Sequence, residues 1–158
     1  MTKPTVRIKY PVSRKILRLL KPSDLISYAG KAFCFTCTSL ELFAKYEKLE
    51  GAPLVDLSQE IVVLGTVENE VLFLDKRFPT PEELEYLFLR GVSATIGRPV
   101  TGSHITELYM RFGRVHFVPT EEFSFIHDDV TIMAKSVELD DLILYVNVAS
   151  NGSIYLEG

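Results

Sequence analysis

The chain lacks tryptophan, and no apolar run approaches the roughly 18 to 20 residues needed to cross a bilayer. No membrane association is therefore expected. Cysteine is scarce. Cys34 and Cys37 stand three positions apart, too close for a disulfide framework, and two thiols suit a reducing compartment. A cytoplasmic protein is expected. The basic N-terminal stretch is followed by neither an apolar core segment nor a small-residue cleavage site, so no secretory signal is expected. Repeats, low-complexity tracts and Gly/Ser linkers are missing, which leaves residues 1–158 as a single domain. No G-x-S-x-G and no H-E-x-x-H occurs, so neither signature supports a hydrolase.

Acidic residues are missing from one place in particular. The first 23 residues carry seven basic side chains and none of the opposite sign. The remainder carries 10 basic and 21 acidic residues, and the net charge is −4. That balance argues against nucleic acid as the main partner. It leaves two readings of the basic segment: it folds back on the protein's own acidic surface, or it forms a docking face for an acidic partner.

What is present fits a globular α/β domain. Residues 5–10 alternate apolar and polar as a short strand does. Ser13 is placed to cap a short helix through Leu20. Leu25–Phe35 is apolar and β-prone, consistent with a buried strand or a bent pair of strands. Thr38 or Ser39 is placed to cap the next helix, with Leu42, Phe43, Tyr46 and Leu49 along its apolar face and Gly51 as its stop. Residues 61–64 and 71–74 read as strands. Thr80-Pro81-Glu82-Glu83 is a strong helix start, because Thr can cap, Pro fits the first position and Glu83 can return a bond to the cap.

Residues 92–118 read as strand, helix, strand, with Ser103 as the helix cap, and such a unit pairs its strands in parallel. Asn151-Gly152 between residues 142–148 and 153–156 signals a hairpin. The expected architecture is a mixed sheet with packed helices and a C-terminal hairpin.

The loop Gly97-Arg98-Pro99-Val100-Thr101-Gly102-Ser103 leaves a strand and enters a helix. Free backbone N–H groups and the positive end of the helix dipole suit an anion there. Arg98 adds a fork of donors for a carboxylate or phosphate. The glycines have P-loop spacing, but Ser103 stands where the lysine belongs, which excludes nucleoside triphosphate binding of that kind. Arg98, Thr101 and Ser103 are the candidate ligand groups. Cys34-Phe35-Thr36-Cys37 allows three readings: two small buried apolar residues, a redox dithiol, or half of a zinc site with no second pair to complete it. His104 and His116 read as structural. His127-Asp128-Asp129 holds metal-ligating side chains but has the composition of a solvated loop.

Four stretches, in order, resemble one family. Leu20-Lys21-Pro22-Ser23-Asp24 through Gly30 is similar to its L-K-x-G-D-x-x-x-x-x-G segment. Arg90-Gly91-Val92-Ser93-Ala94-Thr95-Ile96-Gly97-Arg98 is similar to its G-V-x-x-x-I-G-K stretch. Tyr109 through Phe117 resembles its K-x-x-G-A-V-Y-F, and Val137 through Asn151-Gly152 its terminal V-x-x-F-P-x-x-V-x-x-D-x-x-G-N. The family is the β-type subunit, or C-terminal domain, of the iron–sulfur fumarases and tartrate dehydratases. The resemblance implies a swivelling β/β/α fold. It implies no cofactor in this chain and an α-type partner subunit holding a [4Fe–4S] cluster, which acts as a Lewis acid on the departing hydroxyl.

Several family positions are changed. Counting from Gly30, the family's arginine falls on Thr36 and its aspartate on Cys37. Its G-P-T-T-x-x-R-M-D motif, with catalytic threonine and substrate arginine, has no counterpart, although Lys76 and Arg77 lie near enough in sequence to substitute. Only the lysine of the G-K stretch survives in kind, as Arg98. The resemblance therefore implies a ligand site of Thr36, Cys37, Lys76, Arg77 and Arg98, with no assigned catalytic residue. Two functions stay open: a divergent hydro-lyase subunit binding a small carboxylate, and a non-catalytic relative that binds a small anion or serves assembly, a homodimer included. A small dithiol protein is the third reading.

Overall fold

The computed structural model describes residues 5–120, 123–126 and 135–156. Its spine is β2 (Leu25–Phe35), the apolar stretch expected to be a buried strand or a bent pair of strands. Along one edge β2 pairs antiparallel with β8 (Lys135–Val148) from Leu25↔Tyr145 to Cys34↔Lys135. Its other edge is shared. The first half runs parallel to β1 (Val6–Lys9), and Phe33–Phe35 run parallel to Val62–Leu64 of β3 (Ile61–Glu68). From β3 the pairing continues in parallel to β5 (Ala94–Ile96) and to β6 (Val115–Pro119), and β6 returns antiparallel to β8. The strands β2, β8, β6, β5 and β3 thus form a closed ring. One face of every ring strand turns inward, as alternation in a closed sheet requires, and Cys34, Val63, Ile96, Phe117 and Val146 share one core.

The protein is an α/β domain with a mixed sheet, as the sequence leads one to expect. The outward faces of the parallel strands are covered by helices. Phe33, Phe35, Val62 and Leu64 pack against Leu40 and Phe43 of α2 (Cys37–Glu50) and Leu87 of α3 (Pro81–Leu89). The second face of α3 meets α4 (Ser103–Phe112) through Leu84, Phe88 and Tyr109. Leu17 of α1 (Arg14–Leu19) joins the ring core. No helix among the described residues is long and apolar enough to cross a membrane.

Local chemistry sets most boundaries. Thr80 and Glu83 make the expected capping box. β3 turns into β4 (Val71–Leu74) through Asn69 and Glu70, both with positive φ, which is the twist that a two-residue hairpin needs. β7 (Ser124–Phe125) extends β4 in parallel. The 92–118 unit has the expected parallel pairing, its first strand shortened to Ala94–Ile96.

Three expectations need correction. Helix α2 is capped by Thr36, not Thr38 or Ser39; Ser39 supplies the returning bond of a capping box from the third helical position. The helix starts where β2 ends, so its buried stripe becomes Leu40, Phe43 and Glu47. Tyr46 and Leu49 are left exposed. Ser103 does not cap α4: Gly102 holds the cap position without a side-chain bond, and Ser103 is already helical. At Asn151-Gly152 the chain does reverse, but the return arm makes only one bridge, Val148↔Ile154. Residues 153–156 are exposed and have no buried face to hold a ladder. Asn147 holds the arm instead, donating to the Tyr155 carbonyl at 2.8 Å.

Candidate functional site

The parallel strands β2, β3 and β5 all run toward one end of the sheet. Ligands bind at the carboxyl ends of such strands, where loops leave for the helices. Here that end gathers Thr36 and Cys37 after β2, Asp75-Lys76-Arg77 after β4, and Gly97-Arg98 after β5. Three contacts join the three segments. The Arg98 guanidinium donates to the Lys76 carbonyl. The Cys37 amide donates to Asp75 Oδ2 at 2.8 Å, and the Cys37 thiol lies 3.3 Å from the Arg77 carbonyl.

Five of the seven expected ligand residues therefore converge. Lys76, Arg77 and Arg98 are exposed at the rim, while Thr36 and Cys37 are buried beneath it. Arg77 is engaged, its Nη1 standing 3.1 Å from Glu83 Oε1. Lys76 and Arg98 have no carboxylate partner among the described residues. Thr101 and Ser103 do not join them. Both are exposed at the far end of the loop, beyond the buried Val100, and no hydrogen bond ties either hydroxyl to the cations among the described residues.

The loop carrying Arg98 is anchored from below. His116, on β6, is fully buried; its Nε2 lies 2.8 Å from the Arg98 carbonyl, and its Nδ1 lies 2.6 Å from Thr95 Oγ1. A carbonyl can only accept, so Nε2 carries the proton. Burial drives the ring pKa from 6.5 down to about 4, so the ring is neutral and Nδ1 accepts from Thr95. Thr95 in turn accepts from the Tyr109 hydroxyl at 2.6 Å. The relay Tyr109 to Thr95 to His116 to Arg98 fixes the loop backbone. Further along, Asn147 Oδ1 accepts from the Val100 amide at 2.8 Å. Gly97 lies at the closest approach: a Cβ there would stand 3.2 Å from Leu64 Cβ and 3.4 Å from the His116 ring.

The cysteines do not behave as a redox pair requires. Both are buried. Burial pushes the Cys34 thiol up to about 11, and burial together with the adjacent Asp75 carboxylate pushes Cys37 up to about 12. A reactive dithiol needs the opposite shift. No three metal-ligating side chains converge among the described residues. His127-Asp128-Asp129 lies outside the described residues.

Sequence reasoning missed Asp75. Its carboxylate fills the N-terminal end of α2, accepting from the Cys37 and Arg77 amides, the latter at 3.1 Å. The signal was an acidic residue directly before Lys76-Arg77, at the end of a strand.

No protein-family model matches the chain, and no curated protein does.

Proposed function

We propose that this chain is a divergent β-type subunit of an iron–sulfur hydro-lyase, whose own task is to hold a small carboxylate against the Arg98 loop. One observation supports the reading above the others. Arg98, on a loop braced by His116 and Asn147, reaches the Lys76 carbonyl at the carboxyl ends of the strands, and neither Arg98 nor Lys76 is paired with a carboxylate among the described residues. Two cations on a fixed backbone can clamp a carboxylate while the rest of the ligand faces outward. The cluster, and the Lewis acidity it supplies, belong to an α-type partner in this proposal. The pair is placed in the cytoplasm, where two thiols stay reduced.

A second reading has its own support. Where the family places a substrate-facing arginine and aspartate, this chain has Thr36, spent on the helix cap, and Cys37, covered by Asp75. The helix end that could receive a ligand carboxylate already holds one of the protein's own. That arrangement favours a non-catalytic relative that binds an anion or serves assembly.

Titrating succinate, malate and tartrate into the chain tests the shared premise. Wild type should bind one of them saturably, and Arg98→Gln should weaken binding by about tenfold or more. No binding up to about 10 mM would remove carboxylate binding from both readings and leave only the assembly role. Anaerobic purification from the native host then separates them. A stoichiometric iron-bearing partner supports the hydro-lyase, and an iron-free chain recovered alone supports the binding domain.

A further inference from the structure

The opposite end of the same strands carries a second cluster of cations. Arg114 immediately precedes β6, and Ser93 immediately precedes β5. They stand one position before the paired Ala94 and Val115. Arg114 is 7% exposed and Ser93 is fully buried, yet Arg114 Nε and Ser93 Oγ have no hydrogen-bond partner. Arg14, on α1, brings a second guanidinium, whose Nε is also buried without a partner. Its Nη2 donates to the Gly91 carbonyl at 3.2 Å, and Arg114 Nη2 donates to the Phe88 carbonyl at 3.4 Å. Those carbonyls are three residues apart at the end of α3, so the two guanidinium groups are neighbours. Arg18 lies one turn beyond Arg14 on α1 and is exposed.

The charges here do not balance. The end of α3 offers the equivalent of about half a negative charge to three full positive ones. No carboxylate lies within ion-pair distance of Arg14, Arg18 or Arg114 among the described residues. The crowding is felt: burial first, then Arg14 and Arg18, pull the Arg114 pKa down to about 10. Like charges one turn apart on a helix repel, so the sequence keeps Arg14 and Arg18 together at a cost. Of the two readings of the basic N-terminal segment, internal neutralisation accounts, among the described residues, only for Arg7, which lies 3.9 Å from Asp141. Of the cluster, Arg18 alone also faces a shallow, open depression of about 410 Å³, lined with it by Arg111, Phe112, Gly113 and Asn151.

We propose that Arg14, Arg18, Arg114 and Ser93 form a second anion site, at the foot of the sheet, which takes a phosphate group. Three guanidinium forks and a hydroxyl match a doubly charged, tetrahedral oxyanion better than a planar carboxylate with one charge. This site is separate from the Arg98 rim and stands or falls without it.

The test is a calorimetric titration of inorganic phosphate into the whole chain, at about pH 7 and about 50 mM salt. Saturable binding with a Kd of about 1 mM or tighter is expected, and Arg18→Gln should raise that Kd about tenfold or more. Arg98→Gln should leave it within about twofold. Phosphoserine is the second probe. Binding tighter than phosphate identifies a phosphoryl group carried on a larger molecule, and equal or weaker binding identifies free phosphate; either sustains the site. If Arg114→Gln fails to fold, Arg18→Gln and Arg14→Gln on α1 still decide the matter. Three results overturn the proposal: no saturation up to about 20 mM phosphate, an unchanged Kd in Arg18→Gln, or binding of polyglutamate with none of phosphate. The last would make the segment a docking face for an acidic protein.

Discussion

Replacing His116 by Gln isolates the titration of the ring beneath the Arg98 loop. Gln keeps a donor near the position of Nε2 for the Arg98 carbonyl, but it removes the acceptor for Thr95 and the ring that packs edge-on against Phe78. At about pH 7 the lost acceptor and ring contacts should destabilise the fold by about 2 kcal/mol. The gap should then close as the pH falls. The folded ring titrates at about 4 and the unfolded one at 6.5, so the unfolded chain takes up the proton first. The stabilisation from keeping His116 neutral is therefore complete above about pH 6.5 and lost as the pH falls through about 4. At 1.36 kcal/mol per pKa unit, wild type loses at most about 3 kcal/mol over that window, and Gln loses none of it. Carboxylates titrate in both proteins and cancel in the difference. Urea unfolding at about pH 7 and about pH 4.5 should show Gln the weaker protein at the first and equal or stronger at the second. A stability gap of the same size at both pH values would refute the buried neutral ring and the relay drawn from it.

Glu47 is buried, accepts from Tyr86, Arg90 and the Leu54 amide, and ties α2 to α3. Glu47→Ala should cost about 3 to 5 kcal/mol in urea unfolding, because Arg90 is left partly buried without its counter-charge. A Cβ on Gly65 would stand 2.0 Å from the Phe73 carbonyl oxygen, so Gly65→Ala should push β3 and β4 apart and cost about 3 kcal/mol or more in thermal unfolding. Both thiols should resist an aromatic disulfide reagent at about pH 8 in the native protein and react at once in denaturant, since burial keeps Cys34 and Cys37 protonated there. Fast native labelling of either one would restore the redox reading.

The parts legible in the sequence are those decided by neighbours. The Thr80–Glu83 capping box is complete within four residues, so its helix starts where expected. The loop after β5 was recognisable as a strand-to-helix passage because its glycines are local signs. Where several residues could serve, a distant decision settled the matter. Thr36, Thr38 and Ser39 can all cap a helix, and Thr36 prevails because β2 keeps its pairing with β3 through Phe35. Contacts between remote segments left no sign. Asp75 and Cys37 are 38 residues apart and Thr95 and His116 are 21 apart, and each is unremarkable where it stands. The ring closes through three residue pairs between β2 and β3, too few to register as a pattern.

The closed ring also has a consequence in time. β2 begins at Leu25, and its partner along one whole edge is β8, which ends at Val148. A chain emerging at about 5 to 20 residues per second holds β2 open for roughly 5 to 20 s before Lys135 and its successors can pair with it. During that interval β2 exposes an edge that another strand could join, and β6 adds a second only over its last part, after Pro119 has emerged. Contacts this distant in sequence also slow the search for the native arrangement. The newborn chain is thus most open to strand addition, and to capture by a chaperone, before β8 arrives. Once β8 is in place, β1 and β7 are the outer edges left among the described residues.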